Sequence, residues 1–469
     1  MRSIYRFFKQ ESSSSIPKGV AVTVLVVALL WSSPALAAGF FLPTRGVSPT
    51  ARGGASIAPH DGDLHSLWYN PAGLAHQSEL SLRLDTSVVG LHVVHQRAPR
   101  QMDDGSTRSY VAVRNEAPPN VIPGVIVGGP TPLSNLSWAF GAYTPYSGGG
   151  SYPIDGPQRY VLVDKTGSAM GFLHLAVAWE PTDRIALGAG IQNFMGSLRV
   201  VTVASGYAGI FGDPEDEDLD LWAETTVTDL LSLSGNVGGL FRLTDQLHLG
   251  ASFQLPYALN DAAATIDTRM PTHPAYDRSE VTDNRVRLRV DFPWEARLGL
   301  RWAQQEFDVE LAVVYEHWSM LDELVVEPHG AQVTNVPGIG DMEVNTIAIP
   351  YRFRNTFSAH LGGRYTLNPT VDLLAGYVYE RSAVPDEAYS LFALDPDKHQ
   401  LSAGAALSFG SLTLELMGAA IVMPTREITT SEVRQVNPSD PDDELTLVVA
   451  NGTYRHFGYM GGLGLRYAF

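Results

Sequence analysis

The sequence of 469 residues contains no cysteine, few charged residues and no long apolar run after its N-terminus. Without cysteine the chain can form no disulfide and offers no thiol nucleophile. Charged residues make up 17% of the chain, and acidic residues outnumber basic ones by 50 to 32, a balance that argues against nucleic-acid binding. Because no later segment offers the roughly 20 apolar residues of a membrane-spanning helix, strands would have to cross any membrane.

The N-terminus has the pattern of an export signal. Four basic residues precede the apolar run 19–30, and Ala35-Leu36-Ala37 places small side chains where a signal peptidase reads them. Twelve apolar residues are too few to span a bilayer as an anchor. We therefore predict a cleaved signal peptide over residues 1–37 and an exported mature chain that begins at Ala38.

Hydrophobic periodicity in the remainder is two, the period of a strand. Every even position from Val286 to Trp302 is apolar, while the odd positions carry Arg, Asp, Glu, Pro or Gly. The same alternation recurs over 307–318 and over 351–367, where Asn355 interrupts it. One apolar and one charged face predict a wall with lipid on one side and a polar lumen on the other.

Fourteen segments of this kind are predicted, mostly ten or more residues long, as tilted strands across about 25 Å of apolar thickness require. They cover residues 79–97, 119–129, 136–146, 168–181, 183–201, 229–243, 245–259, 284–303, 306–328, 349–367, 370–384, 398–410, 412–428 and 454–469. The even number suits a single-chain bacterial barrel. The predicted fold class is all-β: a fourteen-stranded antiparallel transmembrane β-barrel over residues 78–469, with an N-terminal hatch that plugs the lumen.

The connections between these segments alternate in length, as expected when tight turns lie on one side of the membrane and long loops on the other. The short turns should face the periplasm. The long, acidic connections should lie at the cell surface, and two of them contain the acidic runs 213–220 and 437–444. Neither run has the Gly and terminal Glu of a helix-loop-helix calcium site, so we expect solvated loops and no metal site.

Residues 38–77 lack long alternation and are rich in Gly, Ala, Ser and Pro, so we expect them inside the barrel. Ala38-Gly39-Phe40, the stretch 51–58 and Asn70-Pro71-Ala72-Gly73-Leu74 resemble the N-terminal hatch of the FadL/TodX outer-membrane transporters. Other segments similar to this family are 138–148, Trp318-Ser319, 362–365, 374–379 and Pro396-Asp397. The ending on Phe469 resembles the signal by which outer-membrane barrels are recognised for assembly.

The resemblance implies a plugged barrel that carries hydrophobic molecules, most plausibly long-chain fatty acids, passively inward across the outer membrane. It further implies capture near the extracellular loops, a pocket above the hatch, rearrangement of the first hatch residues and exit through the wall at a kink in the third strand. Carried onto this chain, Phe40 lines the pocket, and the hatch is anchored by Asn70, Pro71 and Ala72.

The third strand contains two residues that weaken ladder pairing, Gly141 and Pro145. Glycine gives a strand little rigidity, and proline lacks the N–H group that the ladder needs. These two residues are the candidates for the kink that forms the lateral opening.

A fatty acid also requires a cation for its carboxylate, and arginine can bind a carboxylate through two parallel hydrogen bonds. Two candidates lie in the hatch, Arg45 and Arg52. The alternation places the others in the lumen on strands eight to ten: Arg285, Arg287, Arg289, Arg352 and Arg354. Alternatively, these wall arginines pair with the predicted lumen acids Asp308, Glu310 and Glu316. The choice between a fatty acid and a neutral aromatic or alkane hydrocarbon as the ligand therefore stays open.

Two other function classes receive less support. An outer-membrane lipase or protease would need a nucleophile elbow or a His-Glu-x-x-His motif, and the sequence has neither. An open porin conflicts with a forty-residue plug. We expect no enzymatic activity and no cofactor. The expected partners are the hydrophobic ligand, outer-membrane lipid and lipopolysaccharide, and the barrel-assembly machinery, in the outer membrane of a Gram-negative bacterium.

Overall fold

The computed structural model describes residues 44–59, 62–102, 104–133, 135–144, 149–438, 440 and 444–469. The predicted signal peptide, Phe40 and Pro145 lie outside the described residues.

The described chain is almost entirely strand and forms one closed antiparallel barrel. Its fourteen strands are β1 (Ser81–Arg97), β2 (Asn120–Pro130), β3 (Leu136–Tyr143), β4 (Ala169–Thr182), β5 (Ile185–Ser205), β6 (Asp220–Arg242), β7 (Leu247–Gln254 and Tyr257–Arg269), β8 (Arg285–Phe292 and Glu295–Ala303), β9 (Phe307–Glu316 and Glu323–Pro328), β10 (Ile347–Pro350 and Thr356–Asn368), β11 (Val371–Glu380), β12 (Lys398–Phe409), β13 (Leu412–Ile428) and β14 (Gly452–Ala468). Each strand pairs with the next, and β1 pairs with β14 along its whole length, which closes the barrel. The predicted fold class and strand count are confirmed.

Smaller elements lie in the connections. Arg100–Gln101 and Thr107–Arg108 form a two-stranded sheet, and Glu280–Val281, Gln332–Val336 and Gly340–Glu343 form a three-stranded one. A short strand, Val113–Arg114, pairs with β1. Three 3-10 turns are Glu217–Leu219, Pro274–Tyr276 and Trp318–Met320. Long connections gather at one end of the barrel, which we term the outer end. No helix of the described chain is both long and apolar enough to cross a membrane.

The described part of the predicted hatch lies in the lumen. It contains α1 (Val47–Ala51), α2 (Ser66–Tyr69) and a 3-10 helix (Pro71–His76). Wall glycines allow its backbone to approach closely: a Cβ added to Gly362 would lie 1.9 Å from the carbonyl oxygen of Arg52. The hatch therefore occupies space that any larger wall side chain would fill.

Strands β7 to β10 each break at a similar level, and the side-chain pattern inverts there. In the inner half of β8, Arg297 is buried towards the hatch and Leu298 is exposed on the outer face. In the outer half, Leu288 is buried in the lumen, whereas the side chain of Arg289 is 58% exposed. The break over Pro293 and Trp294 separates the two halves.

The sequence pattern predicts that the charged face of these strands lines the lumen over their whole length, and the inversion shows that this is wrong for their outer halves. The sequence alternates without a change of parity, but the apolar face points outward below the break and inward above it. The physical reason is the change of medium: lipid surrounds the inner half, and water surrounds the outer half. On β10 the corresponding position is Asn355, the residue that interrupts the sequence pattern: Phe353 is buried on one side of it and Phe357 is exposed on the other.

Candidate functional site

An apolar cavity of about 130 Å³ lies in the outer half of the lumen, above the hatch. Its walls come from the inverted halves of β7 to β10, from β4 to β6, from the 3-10 turn between the two halves of β9, and from the connection between β11 and β12. The lining consists of Met170, Leu198, Val200, Thr202, Thr225, Leu259, Leu288, Val290, Phe292, Trp318, Leu321, Leu324, Val326, Ile349, Tyr351, Phe353, Phe392 and Ala393. None of these residues carries a formal charge, so the cavity suits an uncharged, apolar guest.

Four residues of this lining carry a polar side-chain group: Thr202, Thr225, Trp318 and Tyr351. The Trp318 indole Nε1 donates to the Glu316 carboxylate at 2.7 Å, outside the cavity lining. Burial raises the pKa of the Tyr351 hydroxyl, which therefore stays neutral. The outer cavity thus offers shape and dispersion contacts rather than a charged anchor.

A column of aromatic rings continues from the outer cavity to the hatch. Phe292, at the edge of the cavity, lies 5.3 Å from Phe194, measured between ring centroids. Phe194 lies 5.2 Å from Phe172, and Phe172 lies 5.5 Å from Trp68 of α2. Such edge-on and tilted contacts hold the rings in a fixed packing.

A second, smaller cavity of about 50 Å³ lies at the lower end of this column, between the hatch and β1, β2 and β3. It is lined by Thr44, Arg45, Gly46, His65, Trp68, Tyr69, Asp85, Ser87, Ile122, Pro123, Gly124, Ile126, Tyr143, Thr144 and Met460. The Arg45 guanidinium lies 4.0 Å from the centre of the Trp68 ring. Arg45 is therefore the hatch arginine that the structure brings to a cavity.

The third strand ends beside this inner cavity. Tyr143 is the last residue of β3 and pairs with Gly124 of β2 and Phe172 of β4. Beyond this level no described strand lies between β2, which extends to Asn120, and β4, which extends to Ala169. Among the described residues, the wall ladder is therefore interrupted next to the inner cavity.

Gly141 does not itself interrupt the ladder. It pairs regularly with Ile126 and with His174, two residues before the strand ends at Tyr143. A Cβ at Gly141 would lie 2.8 Å from the side chain of Leu67, so the missing side chain makes room for the hatch.

The Asn70-Pro71-Ala72 motif contacts both the hatch and the wall. The Asn70 amide donates to the carbonyl oxygen of Ile57 at 2.7 Å and to that of Gly239, on β6, at 3.0 Å. Its Oδ1 accepts from the N–H group of Ala72 at 3.1 Å. Asn70 is extended at φ −160°, as a residue before proline prefers, and Pro71 begins the 3-10 helix.

Two wall carboxylates hold the neighbouring hatch segment. Arg52 Nη2 lies 2.5 Å from Asp308 Oδ1, and both side chains are buried. Glu310 Oε1 accepts from the N–H groups of Ile57 at 2.6 Å and Ala58 at 3.0 Å. Arg52 therefore binds the wall, and it lines neither cavity described above.

A charged cluster surrounds His65 at the inner cavity. His65 Nε2 lies 2.5 Å from Asp85 Oδ2, and Nδ1 lies 3.1 Å from Asp63 Oδ1. Burial and the Arg83 guanidinium oppose protonation, but the Asp85 and Asp63 carboxylates outweigh them and raise the pKa of His65 to about 9. His65 is therefore cationic at neutral pH and links the hatch to β1.

The wall arginines predicted as ligand contacts lie on the outside of the barrel, and their predicted lumen position is wrong. More than half of each side chain is exposed, and each is close to an acidic residue: Arg285 with Asp283, Arg287 with Glu327, Arg289 with Asp291, Arg352 with Glu432 and Arg354 with Glu387. Because the strands invert above the membrane, these guanidinium groups face solvent. The predicted acids Asp308, Glu310 and Glu316 are buried in the lumen, but they contact other groups.

Sequence reasoning missed Lys165, in the connection between β3 and β4. Lys165 and Lys398 are the two lysines after residue 18. Lys398 bridges the carboxylates of Glu380 and Asp395. Lys165 is 3% exposed, and its ammonium group has no hydrogen-bond or ion-pair partner among the described residues, so burial lowers its pKa to about 8. The signal in the sequence was the scarcity of lysine itself.

Within the described ranges, no group of three or more His, Asp or Glu side chains is placed to hold a metal ion. The buried His174 contacts Tyr143 and Asn236, and His360 contacts Ser358 and the carbonyl oxygen of Gly53. These contacts are those of neutral structural histidines in a packed lumen.

Comparison with protein families places the chain with one of them. The family described as "Outer membrane protein transport protein (OMPP1/FadL/TodX)" matches residues 28–469. None of the curated proteins compared with the chain matches it.

Solved structures share the fold at low sequence identity. A FadL homologue from Pseudomonas aeruginosa is 18% identical with a TM-score of 0.74, over 92% of this chain and 100% of that one. The toluene transporter TodX of Pseudomonas putida is 17% identical with a TM-score of 0.63, over 91% and 99% of the two chains. The toluene transporter TbuX of Ralstonia pickettii is 14% identical with a TM-score of 0.61, over 91% and 99%.

Proposed function

Because the chain belongs to the OMPP1/FadL/TodX family of outer-membrane transport proteins, we propose that it carries neutral, compact hydrocarbons passively through its lumen. The family supports outer-membrane transport of hydrophobic small molecules. The narrower substrate class is our proposal, and it rests on the outer cavity. The named relatives are transporters, so we propose no catalytic role.

The single observation that carries the proposal is the size and lining of the outer cavity. Its volume is about 130 Å³, and none of its lining residues carries a formal charge. An apolar cavity of roughly 150 Å³ in another protein stays dry and binds benzene. A single aromatic ring therefore fits the outer cavity, whereas a long acyl chain would require it to expand.

The proposed route follows the apolar groups downward. A ligand would leave the outer cavity past Phe292, move along the column of Phe194 and Phe172, and reach the inner cavity beside Trp68. From there the interrupted ladder beyond Tyr143 offers a lateral exit into the membrane. Each step keeps an apolar ligand out of water, so no energy input is needed.

A cavity-filling substitution tests this proposal. Leu288 and Arg287 are neighbours on β8, and Leu288 lines the cavity whereas Arg287 faces solvent. We expect Leu288→Trp to lower the initial rate of radiolabelled toluene uptake at least tenfold in cells without another transporter. The matched variant Arg287→Trp should keep the wild-type rate. Equal rates in both variants, at equal barrel levels in the outer membrane, would refute transport through the outer cavity.

A second candidate, uptake of hydrophobic carboxylic acids, is favoured by Lys165. A buried ammonium group with no anionic partner among the described residues is costly, and a carboxylate would neutralise it. Under this candidate Lys165→Met should weaken oleate binding at least tenfold and leave toluene uptake unchanged, while Lys165→Arg should retain oleate binding. An equal loss for oleate and toluene in Lys165→Met would indicate damaged packing and count against this candidate.

A further inference from the structure

The ladder between β6 and β7 is interrupted over its middle section. Ladder pairing extends from the inner end up to Asn236 and Gln254 and resumes at Thr226 and Thr265. One further backbone bond, from Leu255 N to Gly235 O at 2.9 Å, extends the inner section. We name the interval between these sections the β6–β7 seam, formed by residues 227–234 and 256–264.

Side chains cross the seam in place of the missing ladder pairs. Asp229 Oδ2 accepts from the N–H group of Asn260 at 3.0 Å, and Asp261 Oδ2 accepts from that of Thr228 at 2.8 Å. Ser232 Oγ accepts from the N–H group of Ala258 at 3.2 Å. Each bond can break by rotation of one side chain, without unpairing a cooperative ladder.

At this level β6 and β7 each have a register shift on the side that faces away from the seam. The pairing of β6 with β5 shifts register between Phe194 and Gly196, and that of β7 with β8 shifts between Asp261 and Ala264. At the β9–β10 joint near this level backbone bonds cross: Tyr351 N and Arg352 N each donate to Asp322 O at 2.7 Å. The β8–β9 joint is also unpaired at this level, but it contains the 3-10 turn Trp318–Met320 and one backbone bond, from His317 N to Trp294 O at 3.1 Å. The seam therefore differs from these two joints in having three side-chain bonds across it.

The outer face of the seam is apolar at its lower edge. Leu230, Leu231 and Leu233 are 68%, 71% and 64% exposed. Two adjacent residues of a regular strand cannot both face outward, so the exposure of Leu230 and Leu231 follows from the register shift. The seam lies where the outer face changes from apolar to charged, which is the boundary between acyl chains and polar headgroups.

The inner face of the seam adjoins the outer cavity. Leu259 belongs to the seam and lines the cavity, and Thr225 lines it at the upper edge. Val227 and Leu259 are fully buried, so the seam is closed in this structure. A small separation of the two strands would connect the cavity directly with the outer leaflet.

We propose that the β6–β7 seam is a lateral entrance through which apolar molecules dissolved in the outer leaflet reach the outer cavity. This inference rests on the proposed function and adds to it the source of the ligand. Hydrocarbons concentrate in acyl chains rather than in water, so an entrance at this level draws on the larger pool. The entrance is separate from the interrupted ladder beside β3, which lies on the opposite side of β4 and β5.

A reversible disulfide across the seam tests the proposal, because the chain has no cysteine of its own. Asp229→Cys/Asn260→Cys bridges the seam, and Leu298→Cys/Val313→Cys bridges a regular, outward-facing pair of β8 and β9. We expect oxidation of the first variant to slow radiolabelled toluene uptake at least fivefold and reduction to restore it. The control variant should show the same rate in both states.

Two outcomes would overturn the proposal. An unchanged rate in a seam variant that mass spectrometry shows to be fully oxidised would exclude the entrance. A wild-type protein that adds nothing to toluene uptake over an empty vector would overturn the proposed function, and the inference with it. If the first seam variant does not assemble, Thr228→Cys/Asp261→Cys bridges the same seam and is read in the same way.

Discussion

Arg52 of the hatch and Asp308 of β9 form a buried salt bridge, with 2.5 Å between Nη2 and Oδ1. Asp308 lies 3.2 Å from Arg364 Nε as well, so one wall carboxylate serves a hatch guanidinium and a wall guanidinium. The hatch is thus bound to the barrel by charge as well as by packing. Any movement of this part of the hatch must break the pair inside the lumen.

Removing the Arg52 side chain should release this part of the hatch. We expect Arg52→Met to destabilise the docked hatch by about 3–5 kcal/mol, because Asp308 would lose a buried partner. Hydrogen exchange of residues 47–58, followed by mass spectrometry, should accelerate in the variant. Arg287→Met removes an exposed pair and should cost less than about 1 kcal/mol. Unchanged exchange in Arg52→Met would show that the salt bridge contributes little to docking.

A single methyl group on the wall should displace the hatch. A Cβ at Gly362 would lie 1.9 Å from the carbonyl oxygen of Arg52, whereas a Cβ at Gly418 would meet no atom within 4 Å. We expect Gly362→Ala to make the hatch accessible to protease and Gly418→Ala to leave it protected. Similar protection in both variants would mean that the wall yields locally instead.

Loss of the Asn70 amide should loosen the hatch turn. Asn70→Ala removes the hydrogen bonds to Ile57 and Gly239 and leaves their carbonyl groups buried. The cost should be about 1–3 kcal/mol, according to the penalty for unsatisfied buried groups. Hydrogen exchange of residues 70–75 measures it. An effect confined to thermal unfolding of the whole barrel would contradict a local role.

Docking of the hatch should weaken at alkaline pH. The pKa of His65 is about 9 in the folded protein, against roughly 6.5 in an unfolded chain. The folded state therefore holds the extra proton, and the stabilisation is complete below pH 6.5 and disappears as pH rises through about 9. Hydrogen exchange around His65, corrected for its intrinsic pH dependence, should show this loss. His65→Gln should abolish the transition, and a transition that persists would assign it to another group.

The outward arginines should not contribute to ligand binding. Arg289→Leu and Arg352→Leu change side chains that face solvent above the membrane. Toluene uptake and oleate binding should both stay within twofold of wild type. A selective loss of oleate binding would restore the role that the sequence pattern predicted for these residues.

The strands could be predicted from sequence because alternation depends only on strand geometry. Which face points inward could not, because Leu288 and Leu298 share the same parity and yet face opposite media. On β8 and β10 the breaks at Pro293 and Asn355 mark the inversion, but neither residue type indicates whether lipid or water surrounds the wall. The outer cavity follows from this inversion, so its apolar lining was missed together with it.

Contacts between the hatch and the wall were equally hidden. Arg52 and Asp308 are far apart in sequence, and the local sequence pattern around each residue does not indicate that the two form a pair. The Asn70-Pro71 turn was recognisable, since proline restricts both residues locally. On β6 the partner of Asn70 is the backbone carbonyl group of Gly239. Because every residue has such a group, the sequence does not reveal this contact.

The inversion within β8 also fixes the vertical position of the barrel in its bilayer. Sliding inward would immerse Arg289 and Asp291 in acyl chains, and sliding outward would expose Leu298 and Leu300 to water. The barrel therefore has one favoured depth, set by charge on one side of the break and by hydrocarbon on the other. In a membrane of different thickness, the lipid around the barrel must stretch or compress to match it, because the protein has no second height at which its surface fits.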